Sequence, residues 1–322
     1  AYWVPFIRRS PALRSQIIEN IHAVLYENND YRKKFLDKVG HRIYDGWLRG
    51  EKKQEWIRLT VLGAGRHVGR SCVFLQTPES RILIDCGINV AAQEQDAYPQ
   101  LDSPEFRLEE LDAVILSHSH IDHGGFIPYL YKMGYRGPVY ATAPTRDVTA
   151  LLALDFIGVA FKQAKKALYA AADIREMVKH TICLEYGEVT DITPDMRLTF
   201  YNAGHILGSS MVHLHIGNGL HNFVYSGDFK YVRTALLEPA EAKFPRLETI
   251  MIESTYGAKA DVLVPRKESE NMLITSIKET IDRGGKALIP VLGVGRAQEI
   301  MLILEEAVRT GMLVKVPIYV HG

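Results

Sequence analysis

The sequence predicts an α/β protein with more than one domain, because two patterns follow each other along the chain. Short apolar runs bounded by turn residues occupy residues 57–252 and are typical of β-strands. From Pro265 onward, segments of helical length alternate with short apolar runs, which favours an α/β domain with a parallel sheet. The 322 residues are 47% hydrophobic and 24% charged, as expected for a globular protein of about two or three domains.

The individual elements are predicted from apolar spacing and from residues that start or stop helices. Residues 11–27 and 29–40 have helical spacing, and a polar linker at 50–55 follows them, so we place a domain boundary near residue 54. Strands are predicted at 57–62, 71–76, 81–85, 112–116, 197–203, 210–216, 221–226, 248–252, 286–290 and 316–320. Helices are predicted after Gly124, at about 145–169 and 173–179, and at 266–283 and 296–310.

Composition and charge argue against several classes of protein. No apolar run approaches the ~20 residues of a membrane span, and residues 1–9 lack the order of a signal peptide, so we expect a cytoplasmic protein that contacts no membrane. Cys72, Cys86 and Cys183 form no CxxC pair and are predicted to be reduced, buried thiols. The formal net charge is zero, yet residues 1–53 carry eleven basic and six acidic side chains. That segment is a candidate for phosphate contact, with a solvated helical face as the alternative.

The run from His118 to His123 is the main candidate for a functional site. It places three imidazoles and one carboxylate, all ligands for a borderline divalent metal, in less than two helical turns. Since an apolar strand precedes the run and a helix follows it, we expect a loop that turns His118 and His120 toward one point. Asp122 and His123 then face a second point nearby, as in a two-metal site. The pattern indicates a metal-dependent hydrolase, and a surface histidine cluster is the alternative.

Further potential ligands follow later strands. His205 comes after Gly204 at the end of one strand, and Asp228 comes after Gly227 at the end of another. Glycine lets the backbone approach a metal closely, and a carboxylate can bridge two cations with its two oxygens. Asp85 closes the strand at 81–85 and is expected to be an outer carboxylate that fixes the tautomer of a ligating imidazole.

Other conspicuous residues receive structural or weaker interpretations. His213 and His215 alternate along one strand without an adjacent turn or carboxylate, so we interpret them as structural. Gly293 and Gly295 precede a helix, but the third glycine and the distant acidic residue of a dinucleotide loop do not follow. Arg296 begins that helix and is a candidate contact for a phosphate of a bound polymer.

These motifs together resemble a known family. The HxHxDH run, the later Gly-His and Gly-Asp pairs and the strand pattern resemble the metallo-β-lactamase fold. The Glu-Ser-Thr-Tyr-Gly run at 253–257 resembles the first acidic motif of the β-CASP subgroup, which processes nucleic acids. Over nearly its whole length, the chain further resembles archaeal ribonucleases of the cleavage and polyadenylation specificity factor type, at residues 14–21, 35–40, 44–50, 178–182 and 295–299.

The resemblance implies both an architecture and an activity. It implies an αββα metallo-β-lactamase sandwich at 55–252 and the first part of a β-CASP domain at 253–322. Residues 1–54 resemble the helical tail of a KH region, although the KH signature loop is absent from the sequence. The implied activity is that of a zinc-dependent ribonuclease, endonucleolytic and 5′–3′ exonucleolytic, in 3′-end processing or transcription termination. RNA is the implied partner.

The resemblance also implies roles for the residues of the site. Glu253 matches the acidic residue that helps to protonate the leaving oxygen through a partner histidine, and Asp122 is implied in catalysis. Two zinc ions are implied, one held by His118, His120 and His205, the other by Asp122 and His123, with Asp228 bridging both.

The sequence departs from the family pattern toward its end. Two further histidine motifs of the family, a partner for Glu253 and a ligand for the second zinc, are missing from residues 1–322. We therefore expect an incomplete chain that alone cleaves RNA weakly or not at all, and any homodimer is expected to form through segments beyond these residues. A DNA nuclease of the same subgroup and a non-catalytic metal- or RNA-binding fragment are the alternatives.

Overall fold

The computed structural model of the protein describes residues 33, 34, 36–41 and 55–320. Within them, residues 33, 34 and 36–41 are helical, in agreement with the predicted second helix, whereas the helix predicted at 11–27 and most of the basic segment lie outside the described residues. The strands are β1 (Arg58–Gly63), β2 (Cys72–Gln76), β3 (Arg81–Ile84), β4 (Ala113–Ile115), β5 (Val139–Ala141), β6 (Thr181–Cys183), β7 (Val189–Thr193), β8 (Met196–Asn202), β9 (Ser210–Ile216), β10 (His221–Tyr225) and β11 (Thr249–Met251). The α-helices are α1 (Ile121–Gly124), α2 (Ile127–Lys132), α3 (Ala143–Lys162), α4 (Ala171–His180), α5 (Arg266–Asp282) and α6 (Arg296–Arg309).

Two sheets form the centre of the molecule. The first has the order β1-β2-β3-β4-β5-β6, antiparallel from β1 to β3 and parallel from β3 to β6. The second has the order β11-β10-β9-β8-β7 and is antiparallel except for the parallel pair β10 and β11. Helical crossovers join the parallel strands of the first sheet, as parallel pairing requires.

The inner strands β2, β3 and β4 of the first sheet are buried on both faces, which explains why they appear in the sequence as continuous apolar runs. One face packs against the second sheet through Val73, Leu75, Ile82, Ile84 and Ile115, opposite Leu198, Phe200, Val212, Leu214 and Phe223. The other face packs against the helical layer through Phe74, Leu83 and Val114, opposite Ile127, Leu130, Ala153, Ile174 and Met177. The predicted α/β class is confirmed, with two stacked sheets and helices on the outer face of the first.

The last two helices form a cluster of their own. α5 and α6 bury Ile274, Ile277, Leu304 and Ala307 against each other and against Leu313. No helix of the described part of the chain has the length and apolarity needed to cross a bilayer.

Several predicted elements need correction. The strands predicted at 286–290 and 316–320 are wrong, because no described segment pairs with either one and Leu288 and Tyr319 are 94% and 91% exposed. Apolar runs become strands only when a neighbouring backbone completes their hydrogen bonds. β5, β6 and β7 were not predicted.

The three cysteines are all free, but the prediction that all of them are buried is wrong for Cys183, which is only partly buried.

Candidate metal centre

The candidate site begins on the loop between β4 and α1. Leu116 to His120 leave the first sheet in extended conformation, and Gly124 N–H donates to the His120 carbonyl at 2.8 Å to close the first helical turn. Pairing with Ser210, whose N–H donates to the Ser117 carbonyl at 2.8 Å, attaches the loop to the second sheet. His118 is fully buried and His120 half-buried. The loop therefore presents adjacent imidazoles at the seam between the sheets.

One group of four side chains converges at this seam. One ligand atom each from His118, His120, His205 and Asp228 lies within 4.8 Å of the other three. His120 Nδ1 lies 3.2 Å from His118 Nε2 and 3.3 Å from His205 Nε2. Four of the predicted ligands, from three separate parts of the chain, thus lie close together, as expected from the sequence.

Asp228 connects this group to a second one. Its Oδ2 lies 3.6 Å from His205 Nε2 and 3.8 Å from His118 Nε2, whereas its Oδ1 lies 3.4 Å from His123 Nε2. Asp122 Oδ2 is 3.9 Å from the same His123 nitrogen. The two oxygens of one carboxylate therefore face two different sets of donors.

Two glycines allow these ligands to approach. Gly204 has φ +64°, and a Cβ there would lie 2.7 Å from the Glu238 carbonyl oxygen. Gly227 has φ +52°, and a Cβ there would lie 2.9 Å from Ser117 Oγ. Any larger residue at either position would displace the ligand that follows it, His205 or Asp228.

Asp85 lies behind His123, in the place that the sequence suggested for an outer carboxylate. It is fully buried and follows β3 in the left-handed region, with φ 57°. Its Oδ2 lies 2.7 Å from His123 Nδ1 and accepts from Ser117 Oγ at 2.7 Å, while its Oδ1 accepts from Ser117 N–H at 2.7 Å. Asp85 therefore orients the His123 ring so that Nε2 faces Asp228.

The four imidazoles differ in pKa because of burial and of the charges beside them. Burial and the neighbouring histidines hold the pKa of His118 well below its ordinary value, and burial lowers the pKa of His205 to about 4 and that of His120 to a smaller extent. These three rings are neutral at pH 7 and offer lone pairs. Burial also lowers the pKa of His123, but the carboxylates of Asp85 and Asp228 outweigh burial and raise that pKa above its ordinary value. Burial raises the pKa of Asp228, but His123, His205 and His120 together outweigh burial and lower that pKa, so the carboxylate stays ionised.

This donor set fits a borderline divalent cation. Three neutral imidazoles and a carboxylate at one point, with a fourth imidazole and a second carboxylate beside them, are the ligands that zinc accepts in hydrolytic sites. The crowded imidazole nitrogens also favour a cation among them, because facing lone pairs repel one another.

Two further predicted site residues, Glu253 and Arg296, lie outside both groups of potential ligands. The Glu253 carboxylate accepts from Thr255 N–H at 3.1 Å, and its own N–H donates to Ser226 Oγ at 3.1 Å, close to Asp228 in sequence. Arg296 pairs with Glu299 at 3.0 Å. The structural histidines are also accounted for, since His213 Nε2 donates to the Arg246 carbonyl and His215 Nδ1 donates to the Asn222 amide oxygen.

The sequence interpretation missed Ser117. This buried residue donates to Asp85 and lies 3.0 Å from His118 Nδ1, so it links the two groups of ligands. Its signal in the sequence was a single polar residue that closes an apolar strand directly before the histidine run.

Fold and site together define a class of protein. The chain belongs to the metallo-β-lactamase superfamily, since the sequence model described as the metallo-beta-lactamase superfamily domain matches residues 74–254.

Curated relatives narrow the similarity further. The chain is 53% identical over 321 residues to the transcription termination factor FttA of Methanothermobacter thermautotrophicus, covering 99% of this chain and 50% of that protein. It is 52% identical to the proteins of the same name from Methanocaldococcus jannaschii and Thermococcus kodakarensis, covering 99% and 100% of this chain and 50% of each relative. The predicted resemblance to an archaeal metallo-β-lactamase family is confirmed. The chain spans about half the length of these relatives.

Proposed function

We propose that this chain carries the metal centre of a zinc-dependent ribonuclease that hydrolyses RNA phosphodiester bonds in transcription termination or 3′-end processing. The observation that carries the proposal is the position of Asp228, whose two oxygens face His118 and His205 on one side and His123 on the other. A carboxylate between two donor groups suits a two-metal hydrolase. The similarity to proteins named as transcription termination factors supports RNA as the substrate.

Each donor has an assigned place in the proposed site. His118, His120 and His205 would hold one zinc ion, Asp122 and His123 would hold the other, and Asp228 would serve both. Zinc bound there supplies Lewis acidity, which lowers the pKa of water toward ~7 and offsets charge on a phosphodiester. The chain's own contribution is to keep three imidazoles neutral by burial, so that no proton competes with the metal.

The remaining residues are proposed to orient a metal ligand, to help protonate the leaving group and to contact the RNA. Asp85 holds His123 Nδ1 at 2.7 Å and thereby directs Nε2 toward Asp228. Glu253 is proposed to assist protonation of the leaving oxygen, and its backbone bond to Ser226 attaches it to the loop that carries Asp228. Arg296 is proposed to contact a backbone phosphate of the RNA.

The proposed division of the chain is 1–54, 55–252 and 253–322. Two features support the second boundary: the last strand of the second sheet ends at Met251, and α5 and α6 share a hydrophobic cluster separate from those of the sheets.

The test is a matched cleavage assay. Zinc-loaded protein in excess over substrate is incubated with an RNA oligonucleotide and with the DNA oligonucleotide of the same sequence, with and without chelator. We expect slow, zinc-dependent cleavage of the RNA, lost in Asp228→Asn and retained in the control His215→Ala. Equal cleavage of both oligonucleotides would favour the DNA nuclease. RNA binding without zinc-dependent cleavage would favour the non-catalytic fragment if a longer chain that supplies the two missing histidine motifs is also inactive.

A further inference from the structure

One buried carboxylate joins three segments beside the metal centre. Glu299 on α6 is 8% exposed. Its Oε1 accepts from Ala235 N–H at 3.1 Å and from Arg266 Nη1 at 2.7 Å, and its Oε2 accepts from Arg296 Nη1 at 3.0 Å. Ala235 lies on the loop that follows Asp228, Arg266 begins α5, and Arg296 begins α6. Glu299 is therefore the point at which both helices attach to the loop of the metal centre.

The two arginines of this cluster have different surroundings. Arg266 lies between two carboxylates, since its Nε also donates to Glu270 Oε1 at 2.6 Å. Arg296 is 43% exposed at its side chain and directs one nitrogen to Glu299, so much of its guanidinium faces solvent. Arg266 is placed to anchor the carboxylate, and Arg296 is placed to receive a ligand.

Arg296 also lies close to the ligating histidines. The residue before it, Gly295, has φ +84°, and a Cβ at that position would lie 3.4 Å from Ile206 Cγ2. Ile206 follows His205 directly, so the start of α6 packs on the loop that carries this ligand. The positive charge of Arg296 acts on both His120 and His205 and adds to the lowering of their pKa values by burial.

We propose that Glu299 is a positioning residue that holds Arg296 beside the metal centre, so that its guanidinium contacts a backbone phosphate of bound single-stranded RNA. This inference rests on the proposed function. A free arginine side chain loses conformational entropy when it binds, whereas one already held by a buried carboxylate loses less. The planar guanidinium can donate to Glu299 with one edge and to a phosphate with another.

The test is a double-mutant cycle on RNA affinity. Zinc-loaded protein is titrated into a labelled phosphorothioate single-stranded RNA, which resists hydrolysis, at several salt concentrations. Arg296→Ala should weaken binding roughly tenfold and reduce the salt slope by about 0.7, the contribution of one phosphate contact on a single strand. Glu299→Gln should weaken binding several-fold in the wild-type background and cause no further loss in Arg296→Ala, because it acts only through that arginine.

Controls separate positioning from general stability. Arg266→Met removes the anchor of Glu299, so it should lower the melting temperature and weaken RNA binding no more than Glu299→Gln does. Glu305→Gln, an exposed acidic residue on the same helix that pairs with Arg309, should change neither. Should Glu299→Gln fail to fold, Glu299→Asp keeps the charge, withdraws it by one methylene group and should still weaken RNA binding.

The possible outcomes distinguish this inference from the proposed function. Unchanged affinity in folded Glu299→Gln or Glu299→Asp, or an additive double mutant, would overturn the inference while leaving the nuclease untouched. RNA binding with the expected non-additivity would support the positioning role, whether or not residues 1–322 alone cleave RNA. A wild-type protein that binds no RNA would overturn both.

Discussion

Replacing Asp85 by asparagine tests the proposed link between the buried carboxylate and the second group of ligands. In the native protein, Asp85 faces three donors, His123 Nδ1, Ser117 Oγ and Ser117 N–H, each at 2.7 Å. The asparagine oxygen can still accept from Ser117 N–H. Its NH₂ group, however, then points at the proton of His123 Nδ1, and the ring can avoid this conflict only by moving its proton to Nε2. That proton would face Asp228 and displace a metal from the lone pair.

The size of the effect follows from the bonds that change. The substitution removes one charge-assisted hydrogen bond and leaves two others without their charge, and each such bond contributes about 1.5–3 kcal/mol. Part of this loss is offset because a carboxylate no longer has to be desolvated. Metal-free Asp85→Asn should therefore lose about 2–4 kcal/mol of unfolding free energy. The loss of an outer partner of a metal ligand typically weakens metal binding ~10–100-fold, or about 1.4–2.7 kcal/mol. We therefore expect one zinc ion to bind ~10–100-fold more weakly while the other is nearly unaffected.

The assay is zinc competition with a chromophoric chelator, combined with denaturant unfolding of the metal-free protein. Asp195→Asn is the matched control, because Asp195 accepts from Thr77 Oγ at 2.6 Å and from Ser80 Oγ but lies away from the ligands. It should reduce stability without changing zinc affinity. Unchanged zinc affinity in Asp85→Asn, or an equal loss in Asp195→Asn, would refute the tautomer argument.

Three further outcomes are expected. Asp228→Asn should lower the zinc content per chain, measured by elemental analysis, at both sites. His213→Ala should leave the zinc content unchanged, and an equal loss in both variants would show that His213 also binds the metal. Chelation should remove zinc in two phases, because four donors converge at one site and only Asp122, His123 and the shared Asp228 serve the other; a single phase would contradict this asymmetry. Burial raises the pKa of Glu299, but Ala235 N–H and the two arginines outweigh it and lower that pKa below its ordinary value, so its contribution to stability is complete above the unfolded pKa and is lost as pH falls through the folded one. Denaturant midpoints measured across acidic pH should therefore fall less steeply in Glu299→Gln than in the native protein.

The side chains that converge at the candidate site could be selected from the sequence because their signal is local. Spacing within the run from His118 to His123, and the Gly-His and Gly-Asp pairs after strands, fix residue type and position without knowledge of distant contacts. Asp85 was also inferable, since a carboxylate that closes a buried strand has few other roles. Ser117 and Glu299 were missed because a single polar residue gains meaning only from the segments that meet it in the fold.

The strands were predicted with uneven success for a related reason. β9 was predicted at its observed bounds, 210–216, because a strand-like pattern of seven residues is bounded by Gly208 and Gly217. β5 and β6 are three residues each and were missed, whereas the equally short β4 was predicted because its apolar run continues through Leu116. The runs at 286–290 and 316–320 have strand composition but no described partner, and composition alone does not supply one.

The distribution of ligands between the two sheets has a consequence for folding. His118, His120 and His123 follow a strand of the first sheet, whereas His205 and Asp228 follow strands of the second. Neither sheet alone supplies all the potential ligands, so a cation bound between the sheets would crosslink them and oppose movement of one sheet relative to the other. If a metal binds there, its binding would be coupled to closure of the inter-sheet core. Partial loosening of that core would release the metal before any helix unwinds.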